Sequence, residues 1–489
     1  MSKHIFYKNY SSYYLAVKKL VVMALSGAVL GCSLAPTYER PVITIAKHYP
    51  KGEAYQQTAQ SDTSLYYLAD IDRREFFKDP LLQQLIDSAR ANNHDLKIAA
   101  MNVEALEAQY RIRRSERLPK LNMGIDATVQ KLPSEMAYNR RAYQLGLSSI
   151  AWELDLWGRL RNLSDQALQN YLAAEETQIA VQMSLVSAVA RTFLTYRANQ
   201  GLLNLSRATV KVQQQSYDLT KALVQNGSAT NFDLSLVEMA LRSAQADQSR
   251  FLRSVAQDRN ALILLMGAPL PESLSLQLDQ LNPLPDQMLS QHISAGLPSD
   301  LLIRRPDIRG AEHKLQASNA NIGVARAAFF PSIQLTGSVG TASSSLDNLF
   351  SAGTGMWTFT PKITLPIFNA GANKANLERA QVLKRIEIVN YNKVIQTAFR
   401  EVSDHLASKA TLDEQIKAQK QNVVASENAY RLAKLRFKAG VDNYFVVLDL
   451  EKTLYASQQQ FIQMHLEQLN NDINLYKALG GGWSDRHVR

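Results

Sequence analysis

The chain has 489 residues, 46% of them hydrophobic and 20% charged, with a formal net charge of +10 and a single cysteine. That length accommodates a large core or several domains, and one cysteine excludes an internal disulfide framework. The basic excess is spread out, with no basic run interleaved with aromatics, which excludes a nucleic-acid surface as the main function.

Residues 1–31 contain Lys3, Lys8, Lys18 and Lys19 and no acid, with an apolar run from Leu20 to Leu30. A basic head, a short apolar core and a small residue before the cut define a secretory signal. A run of about 11 residues is too short to span a bilayer as a helix. Its removal takes four lysines from the charge, from +10 to +6. No later stretch reads as a transmembrane helix, so if the protein sits in a membrane it must do so as strands. Cys32 follows Leu30-Gly31 directly, as in the lipobox of bacterial lipoproteins, and is read as a lipidated residue rather than an incidental thiol. Ser33, not Asp, comes next, which in signals of that kind implies sorting to the outer membrane.

Residues 32–80, with Pro36, Pro41 and Pro50, read as an extended segment. A helical pattern then runs from Pro80 to about Arg117 and is stopped by Pro119. Two stretches with a period of two follow. Leu121, Met123, Ile125 and Ala127 form one strand, and Tyr143, Leu145 and Leu147 a second. The second slips phase to Ile150, Trp152, Leu154 and Leu156, the mark of a bulge or an exit from the sheet. A matching pair comes later, over about 331–368, with Ile333, Leu335, Gly337 and Val339 on one strand and Trp357, Phe359, Pro361, Ile363, Leu365 and Ile367 on the other. The polar residues between them predict strands with one wet and one apolar face. Lys131–Arg141 and Thr341–Gly355 are the polar loops of the two pairs.

There is no proline between Pro133 and Pro269, and Asn373 to Ala439 holds neither Pro nor Gly. Pro in a helix interior costs ~3 kcal/mol, so its absence permits very long helices. Seams stepping four and three recur at Ile179, Met183, Val186, Ala190 and Phe193, at Ile395, Phe399, Val402 and Leu406, and at Ile462, Leu466, Leu469, Ile473 and Tyr476. Such seams pack helices as coiled coils. Each long helical pattern ends at a glycine, Gly227-Ser228 in one case and Gly440-Val441 in the other. Gly ends helices because it tolerates positive φ, and Asp442 or Asn443 then supplies the next N-cap. The reading is two helical hairpins with exposed tips.

The two tips are 213 residues apart. Asp95-Leu96 and Asp307-Ile308 lie 212 apart, Leu118–Leu121 and Phe330–Ile333 also 212, and Trp157 and Phe368 lie 211 apart. Glu238 and Glu451 are offset by 213, as are Met266-Gly267 and Leu479-Gly480. A constant offset predicts a duplicated unit. The organisation is therefore a signal (1–31), an extended segment (32–80), a first repeat (81–269), a proline-rich linker with short helices (270–305) and a second repeat (306–489).

Four strands with an apolar face cannot close a barrel, and open edges are not tolerated in lipid. The barrel must be shared with other copies, in a number that strand count leaves open. Five segments then fix a resemblance. They are Gly296-Leu-Pro-Ser-Asp-Leu-Leu-Ile-Arg-Arg-Pro-Asp307, Phe330-Pro-Ser-Ile-Gln-Leu335, Leu365-Pro-Ile-Phe368, Ala439-Gly-Val-Asp-Asn-Tyr444 and Val447-Leu-Asp449. Over nearly all of the mature chain this resembles the TolC-type outer-membrane factors, the outer membrane efflux protein family, in its OprM/NodT lipoprotein branch.

The resemblance implies a mainly α fold with a membrane β-barrel. It implies a homotrimer whose four strands per chain make one twelve-stranded barrel on an α-helical periplasmic tunnel. Its implied partners are a periplasmic adaptor, an inner-membrane proton-driven RND pump and outer-membrane lipid, with no nucleic acid. No cofactor is implied beyond the diacylglycerol and acyl chain on Cys32. Gly227, Ser228, Gly440 and Val441 become adaptor contacts, and Phe445, Asp449, Asp442 and Tyr444 a periplasmic aperture. Phe232 stands opposite Phe445, but Leu236 stands where Asp449 would, so only the second repeat keeps the acid.

An enzyme is disfavoured. The eight His are scattered, and no H-E-x-x-H, G-x-S-x-G or phosphate loop is present. Gly480-Gly481-Gly482 reads as a helix C-cap, not a nucleotide loop. A structural coiled coil explains the helices but not the strand pairs. A duct for type I protein secretion or metal efflux would share the fold and remains the alternative to RND-type multidrug efflux.

Overall fold

The computed structural model describes residues 33–42, 48–58, 71–131, 140–281, 284, 289 and 300–482. Ten α-helices and four strands occur among them. They are α1 (Arg73–Phe76), α2 (Pro80–Asn92), α3 (His94–Ser115), β1 (Asn122–Gln130), β2 (Arg140–Glu153), α4 (Arg159–Gln225), α5 (Asn231–Met266), α6 (Glu272–Asp279), α7 (Leu301–Arg304), α8 (Pro306–Ala327), β3 (Ser332–Ser343), β4 (Gly355–Thr364), α9 (Ala372–Lys438) and α10 (Tyr444–Ala478). The duplication is visible in the boundaries. From α3 to α8 the start shifts by 212, and from α4 to α9 and from α5 to α10 by 213. Both α4 and α9 run for 67 residues.

The elements group into two compact units, each drawing on both repeats. The first comprises the described residues up to Val42, with Asn102–Ala174 and Gly310–Tyr391. Its sheet is antiparallel throughout, in the order β1-β2-β3-β4. The register carries the pattern across it. Met123, Leu147, Val339 and Trp357 form one row, and Asn122, Ser148, Ser338 and Thr358 the next, on the opposite face. On the polar face Ser338 Oγ and Thr358 Oγ1 are hydrogen-bonded at 2.7 Å. On the apolar face Met123 is 71% and Trp357 76% exposed. A contiguous apolar face left bare by its own chain marks a membrane or partner surface.

The phase slip at Ile150 is a bulge. The β2–β3 register shifts between Ser149 and Trp152, and Ala151 takes a positive φ of 52°. Close strand approach also dictates composition. A Cβ on Gly146 would lie 2.7 Å from the Val339 carbonyl oxygen, and one on its partner Gly340 would collide with the Leu145 carbonyl.

Residues 33–42 are strapped onto the helices of this unit. Ser33 Oγ donates to Asn162 Oδ1 at 2.8 Å, and the carbonyls of Leu34 and Pro36 accept from Arg326 and Asn319. The Arg40 guanidinium makes a bidentate pair with Glu312, at 2.9 and 2.7 Å, and Tyr38 donates to the same carboxylate. Gly323 leaves the room: a Cβ there would sit 2.8 Å from Ala35 N and inside the Asn162 side chain. At the strand–helix junction Trp157 stacks on Phe330 at 4.7 Å and donates to the Pro331 carbonyl at 2.7 Å.

The second unit comprises the described residues of Ile43–Met101, Glu175–Arg309 and Asn392–Arg489. The seams read from the sequence lie inside it: Met183, Val186, Ala190, Phe193, Val402, Leu406, Ile473 and Tyr476 are buried. One 18-residue window of α4 has a mean hydropathy of 1.2, a value a membrane span can have, but half of it is buried in the protein, as in the core of a helical bundle.

Arg305 ties the carboxyl end of α10 into this unit. It is buried, donates to the Ala478 carbonyl at 3.0 Å, pairs bidentately with Asp307 and reaches Glu401 at 2.9 Å. A cation at a helix C-terminus satisfies an orphan carbonyl and complements the helix dipole.

One expected element divides. The pattern from Pro80 to Arg117 forms two helices that meet at Asn93, whose side chain donates to the Leu265 carbonyl and accepts from Leu96 N. Gly267 makes the crossing possible, since a Cβ there would lie 2.5 Å from the Asn92 carbonyl oxygen. The break is imposed by a segment remote in sequence.

Candidate aperture and docking tips

Both tips are built by the same backbone. Gly227 and Gly440 each take φ = 72°. Gly227 N donates to Val224 O and Ser228 N to Leu223 O; Gly440 N donates to Phe437 O and Val441 N to Arg436 O. These four bonds are the same two, shifted by 213. A Cβ at either glycine would meet nothing within 4 Å, so the requirement is conformational rather than steric. Ser228 and Val441 are exposed beside them.

The helices that leave the tips are capped at equivalent positions. Thr230 caps α5 in a reciprocal capping box with Asp233. Asn443 caps α10, accepting from Val446 N at 3.3 Å. Asp442, the other candidate cap, is engaged elsewhere. It accepts from Arg436 at 2.6 and 3.0 Å, which clamps the second turn shut and lowers its pKa.

The four aperture residues fall into two groups. Phe445, 57% exposed, and Asp449, also exposed, lie four residues apart on one face of α10. The Asp449 carboxylate has no hydrogen bond or ion pair among the described residues, and none with Lys452. Tyr444 reaches across to a neighbouring helix, and Asp442 is held at the surface by Arg436. The Tyr444 hydroxyl donates to Ser216 Oγ of α4 at 2.5 Å, and its ring packs on Phe437 at 5.0 Å. Tyr444 thus joins the two hairpins. Farther along, Tyr455 repeats the device, donating to Asp247 of α5 at 3.2 Å. Cys32 lies outside the described residues.

Sequence reasoning missed three parts of this site: the Arg436–Asp442 clamp, the Tyr444–Ser216 bridge and the burial of Glu451. The six-residue spacing of Arg436 and Asp442 across a glycine turn was a usable signal for the first. The others depend on which helix packs beside α10.

An antiparallel sheet with one bare apolar face and two open edges, on a chain of paired helical hairpins, defines a membrane-channel subunit. The outer membrane efflux protein family profile matches residues 85–268 and 297–481. The chain is 46% identical over 470 residues to the toluene efflux pump outer membrane protein TtgF of Pseudomonas putida, covering 95% of this chain and 96% of that one. It is 39% identical over 474 residues to the outer membrane protein OprJ of Pseudomonas aeruginosa, covering 96% of each. Among solved structures, the open-state outer membrane channel MtrE of Neisseria gonorrhoeae superposes with a TM-score of 0.84 at 38% identity, over 93% of this chain and 99% of that one. The chain belongs to the outer membrane efflux protein family, and its fold is that of an outer-membrane efflux channel.

Proposed function

We propose that this chain forms the exit duct of a tripartite RND-type multidrug efflux system, as a homotrimer that carries compounds passively across the periplasm and outer membrane. The observation that carries the reading is the sheet. Among the described residues its outer strands β1 and β4 have no partner on their outer sides, and unpaired main-chain groups cost several kcal/mol each in hydrocarbon. Other copies must supply those partners, and three copies of four strands make a closed barrel of twelve. The duct is passive, and both the energy and the choice of compounds come from the inner-membrane pump. The names of the relatives, efflux pump components for toluene and antibiotics, favour small-molecule export over the protein-secretion and metal-efflux alternative.

At the second tip, three Phe445 rings around a threefold axis would form an apolar constriction with three Asp449 carboxylates one turn away. Apolar constrictions gate by dewetting, and acidic rings favour cations. The exposed Gly227-Ser228 and Gly440-Val441 turns offer the adaptor its contact. Lipidation of Cys32 is supported by the strap, which fixes Ser33 beside the first turn of α4, where β2 has just ended.

Purified full-length protein tests the reading directly. It should run as a trimer in mild detergent and conduct ions in planar bilayers, and mass spectrometry of the mature chain should find an acylated N-terminal Cys32. A monodisperse, non-conducting monomer with intact strand content overturns the duct. An unmodified N-terminus at another residue removes the lipid anchor alone.

A further inference from the structure

Glu451 is the carboxylate that the aperture does not use. It lies on α10 two residues past Asp449, and with Val447 it forms the buried face opposite Phe445 and Asp449. It is 7% exposed within a single protomer, so its burial does not depend on neighbouring copies. Among the described residues its carboxyl has no hydrogen bond and no ion pair. The one charged group acting on it is Lys434 of α9, which sits over the Tyr430 ring at 5.2 Å instead of closing on the carboxylate. Two phenols complete the surroundings, Tyr430 of α9 and Tyr444 of α10, each raised in pKa by burial first and then by Glu451. From α4 the nearby contribution is the neutral Ser216 hydroxyl on Tyr444.

The first repeat shows what such a carboxylate does when it is meant to stay ionised. Glu238, offset by 213, is half-exposed and pairs with Arg242 at 3.2 Å. At the second tip the position of Arg242 is held by Tyr455, which bonds Asp247, so the compensating cation is gone. A buried, unpartnered carboxylate is costly when charged and much less so when protonated.

Building on the aperture assigned above, we propose that Glu451 is a protonatable positioning residue of the duct: neutral, it seats α10 against α9, and ionised, it loosens that seat and moves the Phe445–Asp449 face. Because the two faces belong to one helix, displacement of one displaces the other. Burial pushes the Glu451 carboxyl up to about 7, against a smaller downward pull from Lys434. A carboxyl raised in the packed state favours packing fully below the ordinary carboxylate range and loses that contribution as pH rises through about 7. Acid therefore tightens the aperture and alkali relaxes it.

The test is open-channel conductance of the full-length protein in planar bilayers, from about pH 5 to about pH 9. Wild type should show conductance rising with a midpoint near 7. Glu451→Gln should lose the step and stay at the acid-side level, and Glu451→Asp should retain a step. Asp472, raised by burial to about 6 beside Lys409, is the other carboxyl of α10 in this range, and Asp472→Asn should leave the midpoint in place. A wild type without the step, a step unchanged in E451Q, or a step removed by D472N overturns the proposal. A purely structural Glu451 would weaken the E451Q trimer and leave the step untouched. Failure of the aperture reading is distinct: F445A with D449A would then leave conductance unchanged while the Glu451 step persisted.

Discussion

The two hairpin tips share a backbone and differ in what closes it. Each has a glycine at φ = 72°, two identical turn bonds and a polar N-cap at the same offset. Even a Lys over a Tyr ring recurs, Lys221 on Tyr217 and Lys434 on Tyr430. Where the first tip has Leu223 and Ala229, the second has the Arg436–Asp442 ion pair. Where the first has Asn231, Leu236 and a paired Glu238, the second has Tyr444 bonded across to α4, a free Asp449 and a buried Glu451. The first tip is a turn with a conventional charged surface. The second is clamped at its end, bridged to its neighbour and loaded with unpaired acids. Duplication supplied the scaffold twice, and the gate proposed for Phe445 and Asp449 uses one copy only.

Matched substitutions probe that asymmetry. The largest effect is expected for Phe445→Ala combined with Asp449→Ala, which should raise single-channel conductance several-fold, while Asp449→Ala alone weakens cation selectivity. The mates Phe232→Ala and Leu236→Ala should leave both unchanged, although Phe232 is 70% exposed. Equal effects from both pairs would mean that the two tips gate together. Replacing Gly227 or Gly440 with Leu places a Cβ in the left-handed region at a cost of about 1–2 kcal/mol. With open space around both, trimers should persist in the membrane while export falls in an efflux assay. Wild-type export by both variants would rule out the tips as adaptor contacts. The smallest effect belongs to the caps. Thr230→Ala and Asn443→Ala should each cost about 1 kcal/mol, seen as roughly fivefold faster hydrogen exchange in the first turn of α5 or α10. A much larger effect at Asn443 would show that the second turn leans on its cap more than its ion pair implies.

Much of this architecture is legible in local chemistry. The tips follow from a glycine after a long proline-free pattern, and the strands from period two. The bulge at Ala151 was written in the phase slip at Ile150, and the length of α9 in the absence of helix breakers between Asn373 and Ala439. What was not legible depends on partners far away in the chain. Asn93 breaks a helix because of Leu265, and Arg305 reads as a motif residue until the end of α10 is placed against it. Glu451 reads in the sequence like its half-exposed mate Glu238, until α9 covers it. Of the candidate aperture residues, spacing put Phe445 and Asp449 on one face, but it could not show that Tyr444 is bonded to Ser216 and Asp442 to Arg436.

The strap has a consequence for the order of folding. Arg40 closes on Glu312 across 272 residues, and Leu34 on Arg326 across 292. In the other unit, Tyr476 bonds Ile71 across 405. Contacts of such long range come late, because the loops they close must be ordered first. Within the first repeat, among the described residues, only Asn162 holds the 33–42 segment, through Ser33, and the bonds to Glu312, Asn319 and Arg326 wait for α8 of the second repeat. Folding of this chain is thus completed from its second half, and β2 stays without its β3 partner until that half is made.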